Sequence, residues 1–284
     1  MAARKVRKRS SNGLDNAAKT EEDLSGKAKG NGEESLYFKK GYKNISNVTP
    51  NKRAKLTIHK NHIMNQLGRL FYIRPCEELA QKLLGKLLYR ILDNGEVLCG
   101  RIIETEAYLG VVDKACHAYG GKKTERCEPL YMAPGTAYVY FIYGIYHCLN
   151  ISSQEPGACV LIRALEPLQG LSSMKSFRGV RRKDGGSKLK DFELGNGPSK
   201  LCQAFCIEKA NLNKEDMAFS ERFWLEDDKN SHGSQLTIVK STRIGLNSCG
   251  PEWALKPLRF YILGNKCVSV RDKKAESKIL PQTY

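Results

Sequence analysis

The stretch "RILDNGEVLCGRIIETEAYLG", Arg90 to Gly110, decides how this chain is built. Asp93, Asn94 and Gly95 are a strong hairpin signal, because Asn and Gly tolerate the positive φ that tight turns between strands require. The run ahead of the turn, "LAQKLLGKLLYRIL", starts with apolar residues at helical spacing and passes through Gly85 into a strand. The run behind it, "VLCGRIIETEAYL", is a second strand that pairs back on the first. Period-two alternation puts Glu104, Glu106 and Tyr108 on one face of that strand and Ile103, Thr105 and Ala107 on the other. Two carboxylates sharing a face with an aromatic are either the solvated side of a half-buried sheet or part of a pocket wall in which one acts as general base. The glycine-rich loop beyond, with His117, raises the second reading. Alternation does not separate the two glutamates.

Farther along, "TAYVYFIYGIYHCLNISS" reads as two β-segments meeting near Tyr143 and Gly144. Hairpin tips normally carry Asn, Asp, Gly or Pro, yet this one reads Ile142, Tyr143, Gly144, Ile145. Such a tip must bury itself in the core, in a partner, or between stacked bases, as apolar wedges do in proteins that kink DNA. "ACVLIRALEPL" is a short buried strand, "FRGVRRKDGGSKLK" an exposed basic loop, and "GPSKLCQAFCI" the start of a helix with Pro198 in its first turn. "LTIVKSTRIGL" and "LRFYILGNKCVSVRD" are strand-like. Strands and helices do not alternate regularly, so the expected fold is a mixed, largely antiparallel α+β domain.

Composition narrows the function. With 284 residues, 41% of them hydrophobic, the chain can bury a substantial core. The net charge of +17 divides between residues 1–60, which hold 15 Lys and Arg against 6 Asp and Glu, and the rest, which hold 32 against 24. Tail and body are both basic, which suits a polyanion, nucleic acid before acidic lipid. Residues 1–62 are too poor in large apolar side chains to fold and are expected to form a disordered tail. Its clusters "RKVRKR" and "NKRAKL" are nuclear-import-like, nucleic-acid-binding or simply solvated; the expected localisation is the nucleus. Residues 63–284 form the expected folded domain. The ten cysteines are spread without a disulfide framework and read as reduced core residues. Cys202 and Cys206, four apart on an expected helix, lack a second pair to complete a metal site. No apolar run reaches the roughly 18 residues of a membrane span, so no membrane partner is expected.

"RIIETEAYLG", "HAYGG", "PGTAYVYFIYGIYHCLNISS", "ACVLIRALEPL", "GPSKLCQAF" and "KPLRFYILG", in this order, closely resemble the alkyladenine (3-methyladenine, N-methylpurine) DNA glycosylase family, from about Leu67 to Val270. The resemblance implies a single α+β domain with a curved sheet, flanking helices and a protruding β-hairpin that inserts into DNA. It implies release of alkylated or deaminated purines (3-methyladenine, 7-methylguanine, hypoxanthine, ethenoadenine) from duplex DNA, starting base excision repair. Glu106 would activate the attacking water. Tyr108, His117, Tyr140 and Asn150 would form the base pocket, with Asn150 crowding the exocyclic amino group of guanine. Tyr143 would intercalate where the damaged nucleotide was, and Arg163 would contact the flipped nucleotide's phosphate. No metal or other cofactor is implied, and the product would be an abasic site without strand cleavage. The partners expected are damaged duplex DNA and downstream repair proteins, with the chain acting as a monomer. The loop "KKTERCEPLYMAPG" departs from the family at Cys127, Leu130 and Tyr131, while Thr124 and Arg126 remain.

Two other readings compete. A non-catalytic DNA-damage or chromatin binding protein would use the same basic surface and wedge. A metal-dependent hydrolase built on His117, His147 and nearby cysteines lacks the spacing of a known ligand set.

Overall fold

The computed structural model describes residues 65–229 and 236–279. The expected tail over residues 1–62, with both basic clusters, lies outside the described residues. In chain order come α1 (Arg69–Tyr72), α2 (Cys76–Lys82), β1 (Leu87–Ile91), β2 (Val97–Tyr108), β3 (Ala137–Ile142), β4 (Tyr146–Ser152) and β5 (Cys159–Gln169). They are followed by α3 (Leu171–Gly179), α4 (Pro198–Ala204), α5 (Lys209–Leu212), β6 (Phe223–Glu226), β7 (Ile238–Ser241), α6 (Pro251–Ala254), β8 (Arg259–Ile262) and α7 (Lys273–Ser277). The described strands pair antiparallel throughout. They form one curled sheet in the order β3-β4-β5-β2-β1-β6, with β8 bridging β2 and β7. The domain is α+β with a curved antiparallel sheet, as its sequence leads one to expect.

Strand β2 is the hub. Its first half pairs with β1, from Val97 to Arg101, its second half with β8, from Glu104 to Glu106, and β5 lines its other edge. Where it changes neighbours, the register with β5 slips between Ile102 and Thr105, and irregularities of this kind bend and twist a strand. The expected turn forms, with Gly95 N–H donating to Leu92 O at 2.7 Å. Every side chain from Ile102 to Ala107 is buried, so β2 is covered on both faces. On one of them the Thr105 hydroxyl donates to Ala80 O of α2 at 2.8 Å.

Other local expectations need correction. The run beginning at Phe177 is not all loop, because Phe177, Arg178 and Gly179 complete α3. Cys202 and Cys206 do not share a helical face. Cys202 is buried in α4, while Cys206 lies beyond its end with φ 51. Strand β6, "FWLE", was too short to signal itself, yet all four residues are buried and it pairs with β1. The ten cysteines are free thiols, eight of them buried. No helix among the described residues is long and apolar enough to cross a membrane.

The β3–β4 hairpin closes on a turn in which Ile145 N–H donates to Ile142 O at 3.2 Å. Both central residues have positive φ, Tyr143 at 51° and Gly144 at 65°, as a primed turn demands. Gly144 adopts this without cost, whereas Tyr143 is strained. Of the three places such a tip could bury itself, its own core is ruled out, because Tyr143 is 89% exposed, Phe141 45% and Ile145 42%.

Candidate active site

Sheet register assembles the site. Tyr138 pairs with Asn150, Asn150 with Leu161, Leu161 with Glu106 and Glu106 with Arg259, giving one row across β3, β4, β5, β2 and β8. Paired residues of antiparallel strands share a face. The same face therefore collects Tyr138, Asn150 and Glu106, and two positions along each strand it adds Tyr140 and Tyr108.

The two glutamates, both fully buried, have different surroundings. Glu104 receives Arg259 Nη1 at 2.8 Å and the Ser269 N–H at 2.7 Å. Glu106 receives the Ile244 N–H at 2.8 Å on Oε1 and the Tyr108 hydroxyl at 2.9 Å on Oε2. Arg163 stands between them, Nε 3.4 Å from Glu104 Oε1 and Nη1 3.2 Å from Glu106 Oε1. Its side chain is 9% exposed. The arginine expected at a phosphate is thus ion-paired to both carboxylates. A carboxylate offers about four acceptor positions, and Glu106 has one left for a further donor.

Tyr108 is held from below. Arg243, paired with Asp113 through both guanidinium Nη atoms, lies 4.7 Å from the Tyr108 ring centroid. Burial, and then the Glu106 charge, push the Tyr108 phenol well above its ordinary pKa, so it remains a donor.

His117 meets the aromatic wall. Its ring stands edge-on to Tyr140 at 4.7 Å, and Nδ1 lies 2.8 Å from the Tyr138 hydroxyl. Desolvation of the ring, and then the charge of Arg126, lower its pKa to about 4. Arg126 sits 5.2 Å from the Tyr140 ring centroid. Asn150 is fixed by its Nδ2 donating to Tyr138 O at 3.2 Å. Tyr108 and Arg163 each contact Glu106, and His117, Tyr138 and Tyr140 are in mutual contact; Tyr143 stands apart at the hairpin tip.

Sequence reading missed Ile244, Arg243, Tyr138 and Arg259 as members of the site. Tyr138 was legible, since it is two positions from Tyr140 on one strand. The others arrive from elements more than a hundred residues downstream of β2. Among the described residues no group of three or more His, Cys, Asp or Glu is arranged to hold a metal ion.

The family described as methylpurine-DNA glycosylase matches residues 70–266. The DNA-3-methyladenine glycosylase of Mus musculus is 50% identical over 218 residues, 76% of this chain and 65% of that protein, so the chain spans a little under two thirds of the mouse protein's length. The Homo sapiens DNA-3-methyladenine glycosylase is also 50% identical over 218 residues, covering 72% of its length. A relative from Encephalitozoon cuniculi is 52% identical over 195 residues, 69% of this chain and 88% of that protein. The matched segment contains the whole sheet and every residue of the site just described except Ser269, and on it the chain belongs to the methylpurine-DNA glycosylase family, hydrolytic enzymes that act on alkylated bases in DNA.

Proposed function

We propose that this protein is a monofunctional glycosylase that extrudes 3-methyladenine, 7-methylguanine, hypoxanthine or ethenoadenine from duplex DNA and hydrolyses the N-glycosidic bond, leaving an abasic site. The observation that carries the reading is Glu106. It is a carboxylate at the inner end of an aromatic wall, held by three donors and retaining one acceptor position.

A base inside the stack is unreachable, so it must leave the duplex, at a cost of a few kcal/mol. Tyr143, presented at the exposed tip, fills the gap and offsets part of that cost. The purine enters between Tyr108, His117 and Tyr140, and Asn150 crowds the position where guanine carries its amino group. Glu106 is fully shielded while the Tyr108 hydroxyl occupies Oε2. Entry of a base against the Tyr108 ring shifts that hydroxyl and admits water. Glu106 then takes the water's proton as the water's oxygen bonds to the sugar's anomeric carbon and the N-glycosidic bond breaks, the purine leaving with the bonding electron pair, and the carboxylate's charge favours the positive charge developing on the sugar. Arg163 keeps the carboxylate oriented and extends its free edge toward the phosphate of the extruded nucleotide.

The protein acts as a monomer in the nucleus and passes its product to downstream repair proteins. A glycosylase assay on duplexes carrying single lesions, with alkali revealing abasic sites, tests the reading. Binding of lesion duplexes without base release would favour the non-catalytic alternative.

A further inference from the structure

The hairpin wedge has no cation of its own. From Thr136 to Ser153 the chain contains no Lys, Arg, Asp or Glu. Any electrostatic hold on the phosphates beside an inserted Tyr143 must come from another segment. The basic run after α3 reaches the hairpin beside its tip. Arg181, an exposed residue, extends Nη1 to the Ile145 carbonyl at 3.4 Å and sets its guanidinium 5.8 Å from the Tyr146 ring centroid.

We propose that residues 180–190 form a phosphate clamp for the duplex strand running beside the β3–β4 hairpin, with Lys183 and Lys188 as its contacting cations and Arg181 as its tie to the wedge. This rests on the reading of the hairpin as a DNA-inserting element.

The run is built rather than merely solvated. It folds back on the end of α3 so closely that a β-carbon on Gly179 would run into the Gly185 carbonyl, and one on Gly186 into the Lys175 carbonyl. Successive turns fix it: Arg182 N–H donates to Gly179 O at 2.8 Å, and Ser187 N–H to Asp184 O at 3.1 Å. Asp184 Oδ1 caps the Gly186 N–H at 3.2 Å, and Leu189 anchors the return, buried.

Its cations are not equivalent. Arg182 is neutralised by Asp184 through contacts of 2.8 and 2.9 Å, and Lys175 by Asp191 at 2.8 Å. Lys190 lies over the Phe192 ring. Lys183 and Lys188 are exposed and form no ion pair with a carboxylate among the described residues. Two unneutralised ammonium groups on a fixed backbone, tied to an apolar wedge, match the phosphates that flank an intercalation point.

The test measures binding of the full chain to a duplex carrying a tetrahydrofuran abasic-site analogue, as a function of salt. The double variant Lys183→Gln/Lys188→Gln should lower the slope of log K against log salt by about 2, since each lost phosphate contact contributes about 0.9. Lys183→Arg/Lys188→Arg should restore it. Neutral methylphosphonate linkages beside the abasic position should weaken wild-type binding and leave the double Gln variant indifferent, which a bulk-charge effect would not produce. An unchanged slope, or additive losses at every substituted linkage, would overturn the clamp while leaving the glycosylase reading intact. A wild-type chain that shows no preference for the abasic duplex would overturn that reading as well.

Discussion

Arg163 places one guanidinium nitrogen 3.2 Å from Glu106 Oε1, and the Tyr108 hydroxyl meets the other oxygen of the same carboxylate at 2.9 Å. Glu106 is therefore held from two sides, whereas Glu104 takes Arg259 and the Ser269 N–H and shares Arg163 with Glu106. Glu106→Gln preserves an acceptor for the Ile244 N–H and removes the base. It should slow single-turnover release of hypoxanthine or ethenoadenine by about a hundredfold to ten-thousandfold, with duplex binding retained. Release at a near wild-type rate would remove Glu106 from the mechanism.

Glu104→Gln should read out differently. Arg259 is buried, 3% exposed, and its Nη1 bonds to Glu104. Deleting one charge of a buried pair typically costs about 3–5 kcal/mol. The amide keeps an acceptor oxygen, so the loss should fall near the lower figure, seen as a reduced urea midpoint. The folded fraction should retain excision well above that of the Glu106 variant. A stable Glu104→Gln protein that is equally inactive would assign chemistry to both glutamates.

The β1–β2 hairpin, the Glu104/Glu106/Tyr108 face and the odd composition of the second hairpin tip were legible because each is a local pattern of turn residues and alternation. What separates Glu106 from Glu104 was not legible in alternation. It depends on which downstream segment crosses which end of β2: Ile244, after β7, meets Glu106, while Arg259 and Ser269 meet Glu104. Such contacts span well over a hundred residues and leave no periodic trace. The family resemblance singled out Glu106 without giving this reason. Strand β6 escaped for the opposite cause, since four buried residues are too few to establish a period.

Tyr108→Phe keeps the ring that would stack on the base and deletes the hydroxyl that occupies Glu106 Oε2. Excision should remain within about tenfold of wild type, while Tyr108→Ala, which forfeits stacking worth about 1–3 kcal/mol, should lose more in saturation binding of an ethenoadenine duplex. A Phe variant as slow as Glu106→Gln would mean that the hydroxyl takes part in the chemistry.

The pH profile isolates His117. Its pKa is lowered to about 4, so the ring is neutral throughout the range from about pH 5.5 to 8 and gains its proton only below that range. The sign follows: the unfolded chain, with an ordinary histidine near 6.5, binds this proton first as pH falls. Stability associated with the neutral ring is thus complete above about 6.5 and is lost on acidification toward 4. His117→Gln should weaken base binding yet leave any acid limb of single-turnover excision between pH 5.5 and 8 in place. Disappearance of that limb in the variant would make His117 the titrating group.

Tyr143→Gly separates folding from function. Tyr143 is 89% exposed and holds a φ of 51°, a left-handed conformation that costs a side-chain-bearing residue about 1–2 kcal/mol and glycine very little. Its ring buries almost nothing in the free protein, so the substitution removes strain without removing packing. The glycine variant should therefore be as stable as wild type or up to about 1 kcal/mol more stable, after the entropy that glycine restores to the unfolded chain is set against the strain relieved. The same change deletes the wedge, so the fluorescence change of a duplex ethenoadenine on extrusion should shrink and excision should fall. An unaltered ethenoadenine signal in this variant would show that extrusion proceeds without the tip and would take the wedge role from Tyr143. Loss of signal together with a lowered urea midpoint would instead mean that the ring supports the hairpin, a role its exposure argues against.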